Sequence, residues 1–422
     1  MLSDIRKYFN YLSSNKEGKQ TKNKLIIYFV IVLSLLLLNK LLLTKFANSE
    51  YFQIHSALSN LNFFKGISPY SKDISSILTS YFSKRGVTIE TSNFIFQLPI
   101  YNLIFYLPFS MFSDLNWSLP LWLTVNQCLF LLCIEKSINL LKWNPKILFK
   151  ISLFGIGLLS FFGISNYLSA NTSIIQLFFL ILSLKFLFSD KMVIAGLLLG
   201  LSTIDPFNYF IILVLIVAYL VSIKQFKCLL WLFISIILLS LTGLIYDSGW
   251  VLKMLRNIFL ESTFYPFIDY NHALLNWTSK LTFGVLINFV PVLLLIWIFL
   301  EYSRLPKQNS NQLLWFLGLT SCINPFVIMR ETNYSSVLYL LPLIFIVYLW
   351  ENHSTGIINK VVYGILFLSI AAIPLVSILT PNVFSFFKNF YSINLINSIL
   401  IIFVLYWIRW WVVNPYDYLI NR

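Results

Sequence analysis

Long apolar runs separated by short polar breaks dominate the chain. The first is "LIIYFVIVLSLLLLNKLLLT", and a spanning helix needs about 20 such residues. The pattern predicts spans near 25–44, 118–138, 147–167, 172–188, 192–204, 206–222, 228–247, 282–301, 312–329, 335–350, 361–379 and 392–410. The apolar stretch 94–113 carries Pro99 and Pro108 and reads as an interfacial or re-entrant segment, not a crossing. Basic residues gather between spans: Lys136, Lys142 and Lys146; Lys191; Lys224 and Lys227; Arg304 and Lys307; Lys360; Arg409. The positive-inside rule places these stretches in the cytoplasm. The expected fold is an all-α polytopic bundle of about twelve transmembrane helices with both termini inside.

Composition supports that picture. Of 422 residues, 58% are hydrophobic and 11% charged, with a mean hydropathy of +0.80. A soluble domain carries roughly 25% charged residues, so the composition is that of an integral membrane protein. The net charge of +14 is spread between apolar runs, where topology explains it without a nucleic-acid partner. Cys128, Cys133, Cys228 and Cys322 lie in apolar stretches without ligand spacing, so neither a disulfide framework nor a zinc site is implied. Residues 1–24 are polar and basic, and the apolar run after them is longer than that of a signal peptide. They are expected to form a cytoplasmic segment ahead of a single transmembrane domain, 25–422.

The same topology collects the first outer loop 45–94, residues 165–171, Asp205-Pro206, the long loop 248–281, and residues 329–334 and 381–390 on the outer face. Two of these are long, whereas the cytoplasmic loops are short, which points to a site roofed by the two long loops. Within the first, "DISSILTSYF" begins with an acid in N-cap position. It puts Ile74, Ile77, Leu78, Tyr81 and Phe82 on one side, the spacing of an amphipathic helix on the outer surface. Trp117, Trp122, Trp250, Trp277, Trp407, Trp410 and Trp411 lie near span ends and read as an aromatic belt. Trp250 and Trp277 flank the long loop and have stacking on a sugar as an alternative.

Six segments, in order, resemble glycosyltransferase family 87, the polyprenyl-phosphate-mannose-dependent mannosyltransferases of the GT-C superfamily. They are Glu50-Tyr51-Phe52 with Gly66-Ile67-Ser68-Pro69-Tyr70; Phe96-Gln97-Leu98-Pro99 with Pro108; "LSANTSIIQLFFLIL"; "AGLLLGLSTIDPFNYF"; "YNHALLNW"; and "NPFVIMRETNYSSVLYLLPL". Four positions depart from the family. Its first-loop Asp is Glu50, its Gly-Gln pair reads Ala170-Asn171, its donor-phosphate lysine reads Asp205, and its late histidine reads Asn333. The resemblance implies a GT-C bundle that transfers a hexose, mannose in the family, from a polyprenyl-phosphate carrier to a glycan or glycolipid acceptor with inversion. It places the activity on the outer face of a bacterial plasma membrane. The lipid-linked donor is a co-substrate, and no cofactor or metal is expected.

Such a transfer needs a base for the acceptor hydroxyl and donors or cations for the departing phosphate. The resemblance puts Glu50 in the base's place. Its position just past the first span brings it to the headgroup layer, where partial desolvation suits a base. A solvated carboxylate, or a pair with Lys45, is the plain alternative. Of the outer-face cations, which include Lys253 and Arg256, the donor phosphate is assigned to Arg330, His272 and Lys280. Arg330 comes first, because a charge at the end of an apolar span needs a partner and guanidinium forks onto phosphate. Its alternative is an ion pair with Glu331 or Asp205.

Asn171, Asp205, Asn271 and Tyr70 complete the expected substrate-binding set. Asp205 reads equally as a second acid, a metal ligand or a partner for Arg330. His55 is expected to pack within a loop helix and His353 to lie on the cytoplasmic side. Glu50, Asp205, Asn271, His272 and Arg330 are expected to converge in one cavity, walled by loops 45–94 and 248–281. Two other classes remain. A catalytically silent GT-C relative, an accessory subunit of a membrane complex, is favoured by the loss of Gly-Gln and the exchange of Lys for Asp. A transporter or flippase lacks the internal repeat that such folds show.

Overall fold

The computed structural model describes residues 16–47, 49–87, 89, 91, 94–112, 115–260, 290–304, 310–328, 337–353 and 390–413. Among these residues there is no strand, and the architecture is all-helical. Two helical stretches are long and apolar enough to cross a membrane, Trp117–Leu140 and Phe226–Tyr246. A third crossing results if Ile147–Leu159 and Phe162–Leu168, bent by 50° between them, act as one. Leu230, Phe233, Ile237, Leu238, Leu241 and Ile245 all face outward from the second of these stretches, a surface stable against acyl chains and unfavourable in water.

The spans expected at 172–188, 192–204 and 206–222 instead give helices of 15, 10 and 17 residues, Ser173–Leu187, Met192–Leu201 and Pro206–Ser222. All are shorter than the ~20 residues a crossing needs. Polar breaks at 169–172 and 202–205 stop them, and a tight turn at 188–191, with Asp190 at positive φ, joins the first two. The span expected at 361–379 lies outside the described residues, and those at 282–301, 312–329 and 335–350 are described only in part. The described part of the stretch 94–113 forms no helix long enough to cross. It folds as a 3-10 turn, Ile100–Phe105, started by Pro99, and a short helix, Leu107–Ser110, with Pro108 in its first turn. Ile100, Tyr101, Asn102 and Leu103 are buried within the protein.

Close helix crossings follow from small and amide side chains. A Cβ on Gly196 would fall 2.3 Å from the Cys228 carbonyl oxygen, and one on Gly200 2.4 Å from the Ser235 Cβ. Met192–Leu201 therefore lies backbone to backbone on Phe226–Tyr246, the contact small residues permit between apolar helices. The helix Lys16–Leu41 is clamped to Leu115–Leu140 through Asn39, whose Nδ2 donates to Thr124 Oγ1 at 2.8 Å and Gln127 Oε1 at 2.9 Å.

Contacts join several of the segments that carry basic residues. Trp143 Nε1 donates to Glu351 at 2.7 Å, and His353 stacks on Trp411 at 5.1 Å. Arg409 and Arg304 both reach the buried Glu301, at 2.8 Å and 3.8 Å, and Tyr302 meets Ser222 at 2.6 Å. The segments 66–70, 98–103, 169–173, 202–208 and 247–257 gather elsewhere, around one another.

Two expectations need correction. Trp117, Trp407 and Trp410 are exposed, as a belt requires, but Trp122 and Trp250 are buried in aromatic clusters. The helix Ile74–Ser83 forms where periodicity predicts it, yet its apolar face does not rest on a bilayer surface. Ile74, Leu78 and Phe82 are buried against Ile54, Leu58 and Tyr70, because the helix Ser49–Lys65 offers a closer apolar partner.

Candidate functional site

Glu50 stands on the first turn of the helix Ser49–Lys65 and is exposed on the protein's surface. The same helix buries its other face. Phe52 packs among Tyr106, Phe109 and Trp122, with ring centroids 5.9 to 6.5 Å away. His55 is buried; its Nδ1 lies 2.9 Å from the Tyr51 carbonyl and its ring stacks on Tyr51 at 3.9 Å. Gly66 ends the helix at φ +65, and the Ile67 amide reaches back to the Leu61 carbonyl at 3.0 Å, the closure a left-handed C-terminal residue permits.

The turn after Gly66 is pinned to the far end of Phe226–Tyr246. Ser68 Oγ donates to Asp247 Oδ2. Asp247 also accepts from the Gly249 amide at 3.0 Å and from Lys253 Nζ at 2.9 Å. Burial by itself would raise the Asp247 pKa. The hydrogen bonds from Ser68, Lys253 and Gly249, together with the lysine charge, outweigh it and hold the group below its ordinary value. Tyr70 is buried, donates to the Leu98 carbonyl at 2.5 Å and stacks on Trp250 at 6.5 Å. Burial first, then Tyr101 and Asp247, push its phenol pKa well up, so it serves as a neutral donor. Trp250 lies edge-on to Tyr101 at 6.0 Å, and Asn257 Nδ2 donates to the Phe96 carbonyl at 3.1 Å. The first loop and residues 247–257 thus touch directly, and Trp250 is not open to stack on a sugar.

From Tyr101 the contacts pass into a buried polar crypt. Tyr101 donates to the Thr203 carbonyl at 3.2 Å, and Asn102 Nδ2 to Thr172 Oγ1 at 2.9 Å and the Ile204 carbonyl at 3.3 Å. Gln176 Nε2 donates to the carbonyls of Ser202 and Asp205, both at 2.6 Å. Asn208 Nδ2 donates to Asp205 Oδ2 at 2.8 Å, and Asn324 Nδ2 to the Asn208 carbonyl at 2.6 Å. Tyr209 donates to the Ser173 carbonyl at 3.1 Å. Broken helices leave backbone carbonyls without helical partners, and the carboxamides supply the missing donors. Among the described residues the oxygen ends of Asn102, Gln176 and Asn324 are buried without a hydrogen-bond partner, as are those of Asn126 and Gln312.

Asn171 holds its own turn. Its Oδ1 accepts from the Ser173 amide at 2.9 Å and hydroxyl at 2.5 Å, and its Nδ2 donates to Ser169 at 2.5 Å. Its polar atoms close the turn that starts Ser173–Leu187. Ala170 beside it is buried at φ +57, with its carbonyl accepting from Tyr106 at 3.2 Å.

The structure therefore brings Asn171 and Asp205 into one crypt and joins Tyr70 to it through Trp250 and Tyr101. Glu50 is set off by the layer of Phe52 and Tyr106, which share a cluster with Ala170 and Ile204. Asn271, His272, Lys280 and Arg330 lie outside the described residues. Among the described residues no three His, Cys, Asp or Glu side chains group as metal ligands. Sequence reasoning passed over Asn102, Gln176 and Asn324. Their signal is a lone carboxamide in an apolar stretch, "IYNLIF", "SIIQLFF" and "SCINPF", where an unpaired amide is unfavourable. No family model, curated protein or solved structure matches the chain.

Proposed function

We propose that the chain is a polyprenyl-phosphate-sugar-dependent glycosyltransferase of the GT-C kind. In this reading it is a bundle of about twelve spans whose site lies on the outer face of a bacterial plasma membrane. The donor is a polyprenyl-phosphate hexose, mannose by family resemblance, and the acceptor a glycan or glycolipid. The observation that carries the reading is Glu50, an open carboxylate one short turn beyond the apolar helix Lys16–Leu41, on a helix whose other face is locked into the protein. An acceptor can reach such a group at the level where a lipid phosphate sits. Glu50 takes the acceptor proton while the oxygen attacks the anomeric carbon. The carbon–oxygen bond to the phosphate breaks, polyprenyl phosphate leaves with the electron pair, and attack from the opposite face inverts the centre. Arg330, His272 and Lys280 are assigned to the leaving phosphate, and Asn271, Asp205 and Tyr70 to the surroundings of the substrate. Ala170 supports the family likeness: at φ +57 it takes the conformation a glycine favours, where the family has glycine.

The test is transfer from radiolabelled polyprenyl-phosphate mannose by the purified chain in lipid nanodiscs. Glu50→Gln is expected to lower turnover by roughly 100-fold or more with the elution profile unchanged; retained turnover removes Glu50 from the base role. A second reading, the silent accessory relative, is favoured by Asn171, whose polar atoms are all engaged in its own turn. Absence of transfer by the unaltered chain would leave that reading standing.

A further inference from the structure

Both ends of the apolar helix Phe226–Tyr246 carry cations. Lys224 and Lys227 stand at its start, and Lys253 and Arg256 follow its other end on the helix Trp250–Leu260. The positive-inside rule accounts for cations at one end of a span only. The second helix is held against that far end. The Trp250 ring lies flush on Gly243, where an added Cβ would stand 2.6 Å from Nε1, and that nitrogen donates to the Ser240 carbonyl at 3.2 Å. Lys253 reaches back to Asp247 at 2.9 Å. At about 100° per residue, the described part of Trp250–Leu260 divides into three faces. Trp250 and Met254 are buried against the protein. Val251, Leu252 and Leu255 are exposed on a second side, Leu252 to 76%, and come next in the chain after the exposed Leu241, Leu244 and Ile245. Lys253 and Arg256 are exposed on the third. A further cationic pair flanks the same end. Phe63 meets Tyr246 edge-on at 4.9 Å, two residues before exposed Lys65, and Lys65 and Arg85 both stand over the Tyr81 ring, at 5.5 and 4.3 Å.

We propose that Lys65, Arg85, Lys253 and Arg256, with the exposed Leu252 and Leu255 among them, form a docking surface for anionic lipid headgroups of the surrounding leaflet. The leucines enter the acyl boundary and the cations meet the phosphates above it, as on other interfacial helices. A soluble anion would leave the leucines in water, which is unfavourable. A zwitterionic headgroup carries its own cation and gains less from four more. The bond from Lys253 to Asp247 sets the rotation of the helix, so that Leu252 and Arg256 face outward while Trp250 and Met254 face in. Lys253 shares its charge with that carboxylate, and Arg256 carries the larger part of the attraction. The proposal needs a chain that sits in a bilayer and does not need sugar transfer.

The experiment titrates the full chain, in detergent, with dioleoyl phosphatidylglycerol and with dioleoyl phosphatidylcholine, and reads bound lipid by native mass spectrometry. The unaltered chain is expected to bind the anionic lipid roughly tenfold more tightly. Lys65→Gln, Arg85→Gln and Arg256→Gln should each weaken that binding about fivefold and leave the zwitterionic lipid unaffected. Lys253 is left in place, because its loss would strip the buried Asp247 of its partner. Equal affinity for the two lipids, or a preference that survives the triple variant, would overturn the proposal. A second measurement needs none of these variants. A nitroxide at Leu252→Cys, in a background without the native cysteines and in nanodiscs containing phosphatidylglycerol, should collide more often with oxygen than with a water-soluble nickel chelate. The reverse order would put Leu252 in water and equally overturn it. Neither measurement involves a sugar donor, so failure here and failure of the glycosyl-transfer reading are told apart.

Discussion

At the scale of single residues, Ala170 and Asp247 carry the sharpest expectations. Ala170 is fully buried at φ +57, a conformation unfavourable for any side chain and most so for a β-branched one. Ala170→Val should destabilise by roughly 1–3 kcal/mol, whereas Ala170→Gly should be tolerated; thermal unfolding in detergent reads both, and a stable valine variant would contradict the assigned backbone. For Asp247 the folded-state pKa is lowered. Its stabilising contribution is therefore present above the unfolded carboxylate value and lost as pH falls through the folded one. The gap in unfolding midpoint between the unaltered chain and Asp247→Asn should be widest near neutral pH and close in acid. A gap that grew in acid would reverse the sign.

At the scale of elements, the crossing of Met192–Leu201 on Phe226–Tyr246 depends on having no side chain at Gly196. The nearest atom to an added Cβ is the Cys228 carbonyl oxygen, which belongs to the backbone and cannot swing away. Gly196→Leu must therefore part the two helices and should abolish recovery of monodisperse protein, read by size-exclusion chromatography. Normal recovery would mean the helices do not approach so closely. The "AGLLLG" pattern announced small residues, but the partner they serve is visible only in the fold.

At the scale of the whole molecule, the arrangement predicts that exposed Lys72 and Asn144 lie at opposite ends. In a background without the native cysteines, Lys72→Cys and Asn144→Cys should react with an impermeant maleimide from opposite sides of sealed vesicles. Reaction of both from one side would break the two-ended arrangement. The stretches around Lys142, Arg304 and Arg409 were grouped by sign alone, and Trp143–Glu351 and Glu301 with Arg304 and Arg409 show that neighbours of these stretches touch.

Hydrophobic pattern by itself determined that the chain is helical and apolar, that its prolines break 94–113 into short pieces, and that Ile74–Ser83 is an amphipathic helix, because each depends on local spacing. Tertiary structure decided what those helices face. The face of Ile74–Ser83 turned to a neighbouring helix because Ile54 and Leu58 offer a closer apolar surface than a bilayer edge. Tertiary structure also decided that Asn171 closes a turn while Asn102, Gln176 and Asn324 donate to carbonyls of distant segments. No spacing in one dimension foretells that, since the partners lie up to 116 residues apart. Which amide nitrogen finds a carbonyl, and which oxygen is left over, is set only when separate broken helices meet.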